Sequence, residues 1–129
     1  MLAIDTNILI RYLTGDHPKQ SAKARALVDG NDIYVSNTVL LESEWVLRGV
    51  YGYTPPQICQ ALRAFAGLAH VSMESPALVA QALDRVEHGM DFADALHLGS
   101  ADPCEAFITF DKKLIKLARS SGVDTAREP

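Results

Sequence analysis

Four acidic residues stand in this chain at positions where an acid is either costly or well placed to act. Asp5 closes an apolar run, Leu2 to Ile4, and Asp111 closes another, Ala106 to Phe110. Asp94 is the last residue of Asp91-Phe92-Ala93-Asp94, and Glu42 has Thr38, Val39, Trp45 and Val46 at its i±3 and i±4 positions. Residues three and four apart share a helix face, so Glu42 is predicted to lie on an apolar face with no cation in reach. A buried, unpaired carboxylate is costly unless a partner or a metal compensates it.

Each acid also has an ordinary explanation. Aspartate caps helix N-termini and is favoured by the positive end of the helix dipole, which covers Asp5 and Asp111. Asp91 and Asp94 have the spacing of a capping box, although such a box normally ends in the longer Glu or Gln. Glu42 is unremarkable if its helix end is exposed and the acid solvated. Glu44, with Arg48 four residues on, reads as a surface ion pair. His97 reads as a surface or half-buried histidine, not as a ligand.

Taken jointly, the acids predict more than caps. Asp5 and Asp111 end strands, and Glu42 and Asp94 sit in helices that begin after strands or turns, which puts them at one edge of a parallel sheet. Carboxylates gathered there without cations raise one another's pKa, and divalent cations relieve the repulsion. Oxygen-only donors suit Mg²⁺ or Mn²⁺, whereas the absence of a His/Cys cluster disfavours Zn²⁺. An ion so held acidifies water and neutralises charge on a phosphate, which is the chemistry of phosphodiester hydrolysis.

The elements that must position these acids follow from the chain's punctuation. Leu2 to Ile4 is predicted to be a buried strand in the middle of the sheet, followed by a short helix from Asn7 to Leu13 and a breaker cluster, Thr14 to Pro18. A helix runs from Pro18 to Gly30, Ile33-Tyr34-Val35 is β-branched and aromatic, and a long helix capped by Asn37 or Thr38 reaches Tyr51. Thr54-Pro55 opens a helix with Ile58, Ala61, Leu62 and Phe65 on one stripe, closed by Gly67. Leu68 to Ser72 is a third strand. Ser75-Pro76 opens a helix that ends at Gly89, Asp91 opens one that reaches Asp102-Pro103, and Lys112 to Ser120 is helical up to Gly122. Only the last few residues look frayed. Strands alternating with one or two helices imply crossover connections and a mostly parallel sheet covered on both faces.

A chain of 129 residues with 48% hydrophobic content can bury a core as one domain. Its net charge of −4 excludes a general basic surface for nucleic acid, so polyanion binding needs metal ions or a local basic patch. Lys112, Lys116 and Arg119 fall at i, i+4 and i+7 and offer such a patch, with Lys113 and Arg11 nearby, against the plainer reading of a solvated helix face. Val46, Leu47, Val50, Tyr51 and Tyr53 could supply an apolar groove for a partner helix, although core packing explains most such residues. No run is long enough to span a bilayer and no signal-peptide pattern opens the chain, which points to the cytoplasm. Cys59 and Cys104 are too few and too far apart for a disulfide framework or metal knuckle, so they are expected as reduced, half-buried thiols.

These residues together resemble the PIN-domain family, and within it the small VapC-like toxins of toxin–antitoxin pairs. The resemblance rests on Leu-Ala-Ile-Asp5-Thr6-Asn7, on Glu42 early in the long helix, on Asp91-Phe-Ala-Asp94-Ala-Leu-His-Leu and on Ile-Thr109-Phe-Asp111-Lys-Lys-Leu, in that order. It implies an α/β fold, a three-layer α/β/α domain over residues 1–129 with a central, mostly parallel sheet of four to five strands. It implies a metal-dependent endoribonuclease with Asp5, Glu42, Asp94 and Asp111 as the acidic site, supported by Thr6, Asn7, Asp91 and Thr109. It further implies an RNA substrate, homodimers, and a cognate antitoxin whose C-terminal segment crosses the site. Thr6 and Asn7 are then expected to take over the capping role from Asp5. Two other functions fit the same totals: a PIN-like module that binds RNA or a partner without cutting, and a receiver-type phosphoacceptor domain. The latter needs an aspartate after the middle strand, which Leu68 to Ser72 does not offer.

Overall fold

The computed structural model describes residues Met1–Pro129, which form two compact units, Met1–Pro76 and Ala77–Pro129. In the first unit β1 (Leu2–Ala3), β2 (Ile33–Val35) and β3 (Val71–Met73) make a parallel ladder in the order β1-β2-β3, with Leu2 opposite Ile33 and Ile33 opposite Val71. Parallel neighbours require crossovers, and helices supply them. α1 (Thr6–Thr14) and α2 (Pro18–Gly30) connect β1 to β2, and α3 (Asn37–Gly49) and α4 (Pro55–Ala66) connect β2 to β3.

The middle of this ladder is β2, with Ile33 and Val35 fully buried, and not β1 as the sequence suggested. β1 is an edge strand of its ladder, Leu2 and Ala3 are exposed, and only Ile4 of that apolar run is buried. Leu9, Val28, Leu40, Leu47, Leu62 and Phe65 are fully buried in the core of this unit, and Tyr12 meets Phe65 edge-on at 5.3 Å between ring centroids. The breaker after α1 works through Gly15, whose φ of 65° ends the helix in a left-handed turn. Thr54 and Gln57 form a full capping box on α4. The cap of α3 is Ser36, whose hydroxyl accepts from the Val39 N–H at 3.3 Å. Asn37, expected as a cap, is instead the first helical residue, and its N–H donates to the Glu74 carboxylate at 2.9 Å.

The second unit contains α5 (Pro76–Glu87, starting at the boundary), α6 (Phe92–Ser100), β4 (Phe107–Ile108), α7 (Lys112–Ser120) and β5 (Ala126–Arg127). β4 and β5 pair in parallel, Phe107 opposite Ala126. The tail is therefore a strand and not a frayed end: Ala126 is fully buried, and Thr109 donates its N–H to the Arg127 carbonyl at 3.0 Å. All five strands pair in parallel, in ladders of three and two. No helix is long and apolar enough to cross a membrane, Cys59 is buried, Cys104 is exposed, and neither is in a disulfide.

Candidate active site

In the first unit Asp5 turns the chain from β1 into α1. Its backbone is extended and its Oδ1 accepts the Ile8 N–H at 3.1 Å, so Asp5 itself caps the helix and Thr6 and Asn7 do not replace it. Thr6 is buried and Asn7 exposed. Asp5 and Glu42, distant in sequence, line the same open cleft of about 280 Å³ together with Thr6, Asn7, Thr38 and Val39. The β1–β2 pairing and the seating of α1 on α3 bring them together.

Glu42 shares that cleft for a different reason from the one its sequence suggested. It is exposed, as are Thr38 and Trp45, the latter at 60%. The buried face of α3 is Leu40, Ser43, Glu44 and Leu47. Glu44, expected on the surface, is only 4% exposed and accepts two hydrogen bonds from the Arg48 guanidinium. The stripe i, i+3, i+4, i+7 through Leu40 and Leu47 carried this information, but the bulk of Trp45 pointed to the opposite face.

In the second unit Asp91 caps α6 by accepting the Asp94 N–H at 3.0 Å. Asp94 is half-buried, and its pKa is raised above the usual carboxylate value, first by burial and then by the charges of Asp91 and Asp111, with His97 opposing. Asp111 caps α7 through the Leu114 N–H at 3.0 Å, while its own N–H donates to the Thr109 hydroxyl at 3.0 Å. The Thr109 hydroxyl thus holds the backbone at Asp111.

The acids accordingly come as two pairs: Asp5 with Glu42 on one cleft, and Asp94 with Asp111 coupled through their charges. No set of three or more His, Cys, Asp or Glu side chains is arranged to hold a metal ion. The donors themselves, all carboxylate oxygen with Thr and Asn beside them, fit a hard divalent cation, and the like-charge crowding at Asp94 is what such a cation relieves.

The cations divide. Lys112, Lys116 and Arg119 line one cleft of about 320 Å³ with Arg127 and Glu128, and Lys113 is exposed outside its lining. Arg127 escaped notice because the tail looked frayed. Arg11 is committed elsewhere: its guanidinium bonds to Asp16 at 3.0 Å, Gln20 at 2.9 Å and the Tyr51 hydroxyl at 3.2 Å. Lys23, not singled out from the sequence, lines a second cleft that runs beside Asp5, Arg11 and Gln20.

The PIN domain family profile matches residues 2–120 of this chain, which takes in all four acids. No curated protein matches it.

Proposed function

Because this chain belongs to the PIN-domain family, we propose that it is a metal-dependent endoribonuclease, and the VapC-like toxin of a toxin–antitoxin pair. The observation that carries the reading is the shared cleft of Asp5 and Glu42. Helix capping accounts for one oxygen of Asp5, but it does not account for a second carboxylate, Glu42, on the same concave surface with no cation lining it.

In this proposal residues 1–129 work as one domain, and Asp5, Glu42, Asp94 and Asp111 are the acids that hold Mg²⁺ or Mn²⁺. A divalent cation supplies positive charge at the scissile phosphate and acidifies a water. The chain's own residues do the positioning. Asp5 and Asp111 each tie one carboxylate oxygen to a helix N–H, which fixes the rotamer and aims the rest of the group. Thr109 fixes the backbone of Asp111. The raised pKa of Asp94 means that its charged form is disfavoured by burial and by Asp91 and Asp111, a penalty that a neighbouring divalent cation would offset. Lys112, Lys116, Arg119 and Arg127 offer charges for the RNA backbone, compensating locally for a net-acidic chain. A cognate antitoxin and a second copy of the chain complete the proposal as partners, and the cytoplasm is its place of action.

The test is cleavage of mixed RNAs by the purified chain with Mn²⁺ and with EDTA. Cleavage is expected with the ion only, and Asp5→Asn or Asp94→Asn should lower it by about 100-fold or more. Full activity in either variant would remove that residue from the site. A non-cleaving PIN-like module is the second reading; Mn²⁺-independent RNA binding without cleavage would establish it. The receiver-type alternative loses ground, because the middle strand β2 is followed by Ser36, a helix cap, where a phosphoacceptor needs aspartate.

A further inference from the structure

Arg85, on α5, is 8% exposed, and its Nη1 is buried without a hydrogen-bond partner. It takes no part in the ion pairs Arg11–Asp16 and Arg48–Glu44. A guanidinium does not escape burial by losing its proton, so a buried Nη1 without an acceptor is costly. Arg85 also lines an open cleft of about 440 Å³, within the range of small-molecule sites. Its walls include Gln81 of α5, Gly99 of α6 and Phe107 of β4, and Asp102 and Asp124 stand on it as exposed residues. Gly99 is a poor helix residue with a clear reason to be there: a Cβ would collide with Leu78 Cδ1 and sit 3.3 Å from Gln81 Oε1 and 3.6 Å from Arg85 Nη1. The missing side chain lets α6 close on the polar ends of Gln81 and Arg85.

We propose that this cleft binds a compact carboxylate carrying a positive charge beside it, of the size and class of a free α-amino acid. With Nη1 sealed off, the Nε–Nη2 edge of Arg85 is the side that suits a carboxylate bidentately. Asp102 and Asp124 repel a dianion such as phosphate but accept from an ammonium group. Gln81 both donates and accepts, and Phe107 gives an apolar wall for a side chain. The site is distinct from the acids of the same unit. Asp94 lies in the first turn of α6 and Gly99 in its last, roughly 8 Å apart along the axis at about 1.5 Å per residue.

The experiment is a titration of the full ¹⁵N-labelled chain with L-glutamine, L-lysine and L-leucine, and with acetate and inorganic phosphate, following the Gly99, Ala101 and Gly122 amides. At least one amino acid should give saturable shifts at these amides. Acetate should bind at least about tenfold more weakly, and phosphate not at all. Arg85→Met should abolish the response while its melting temperature stays equal or rises, since a matched apolar residue replaces an unpaired buried charge. The double variant Asp102→Asn/Asp124→Asn changes only exposed residues and should erase the preference for an amino acid over acetate. No saturable response, tighter binding of phosphate, an undiminished response in Arg85→Met, or an unchanged preference in the double variant would each overturn the proposal. So would a clear loss of stability in Asp102→Asn, which would make Asp102 the internal partner of Arg85.

Discussion

The Glu44 carboxylate is held by Arg48 one helical turn on, with Nε 3.0 Å from Oε2 and Nη2 3.3 Å from Oε1. The pair is lopsided: the Glu44 side chain is 6% exposed and that of Arg48 48%. Removing the arginine therefore strands a charge in the core of the first unit, whereas removing the acid leaves an arginine that water can still solvate. Arg48→Ala should cost about 2 kcal/mol, less than a fully buried pair because solvent reaches the guanidinium. Glu42→Gln, on the exposed face of the same helix, should change stability by no more than about 0.5 kcal/mol. Urea melts of both variants decide this, and a larger loss for Glu42→Gln would contradict the placement of the two acids.

Asp5 and Asp111 each do two jobs in the proposed enzyme, and substitution can separate them. Both accept a backbone N–H at the start of a helix. Alanine removes cap and charge together and should destabilise by about 1 kcal/mol at either site; asparagine caps about as well and should leave stability nearly intact. The expected pattern is thus two folded asparagine variants with little ribonuclease activity and two alanine variants that are also less stable. Thermal melts alongside cleavage assays give both readings. Asparagine variants that cleave normally would leave Asp5 and Asp111 as caps alone.

The parts legible in the sequence were those written in local chemistry. Thr54-Pro55, Pro18, Gly15 and Gly67 announce helix ends through their own dihedral and capping preferences, and the helices lie where those residues put them. Asp5 and Asp111 were recognisable as strand-ending acids for the same reason. What failed depended on partners. β5 is two residues long and exists because β4 offers it a ladder, so nothing in Ala126-Arg127 alone marks it as a strand. Leu2 looked central because it is apolar, yet an edge strand and a middle strand differ only in how many neighbours pair with them. The exchange of Glu42 and Glu44 came from weighing one large residue, Trp45, above the register of Leu40 and Leu47.

Asp94 gives the acid-range stability of the metal-free chain a defined sign. Burial, then Asp91 and Asp111, raise its pKa above the ordinary 3.8, with His97 opposing. The folded state then binds its proton at pH values where the unfolded chain has released it. Stability should fall as pH rises from the unfolded value through the raised one, and stay lower above it. Urea melts in EDTA from about pH 3 to pH 7 should show this component in the wild type and lose it in Asp94→Asn. At neutral pH the variant should be the more stable protein without metal. A saturating divalent cation, at 100 times its dissociation constant, should restore about 2.7 kcal/mol to the wild type and far less to the variant. Parallel pH curves for the two proteins would show that Asp94 carries no such strain.

The cleft formed by Lys112, Lys116, Arg119 and Arg127 separates a phosphate-binding surface from a solvated helix face. Each cation that neutralises an RNA phosphate releases a counterion, so each contributes about 0.7 to the slope of log affinity against log salt for single strands. Replacing any one of these four by alanine should lower that slope by about this amount and weaken binding similarly for all RNA sequences. Lys113→Ala and Arg11→Ala should leave the slope unchanged, the first because Lys113 lies outside the cleft lining, the second because Arg11 is bound to Asp16 and Gln20. Binding is best measured with Asp5→Asn as background, so that cleavage does not consume the RNA. Equal slopes for all six variants would return the four cations to an ordinary solvated face and leave the RNA contact to be sought at Lys23, on the cleft beside Asp5.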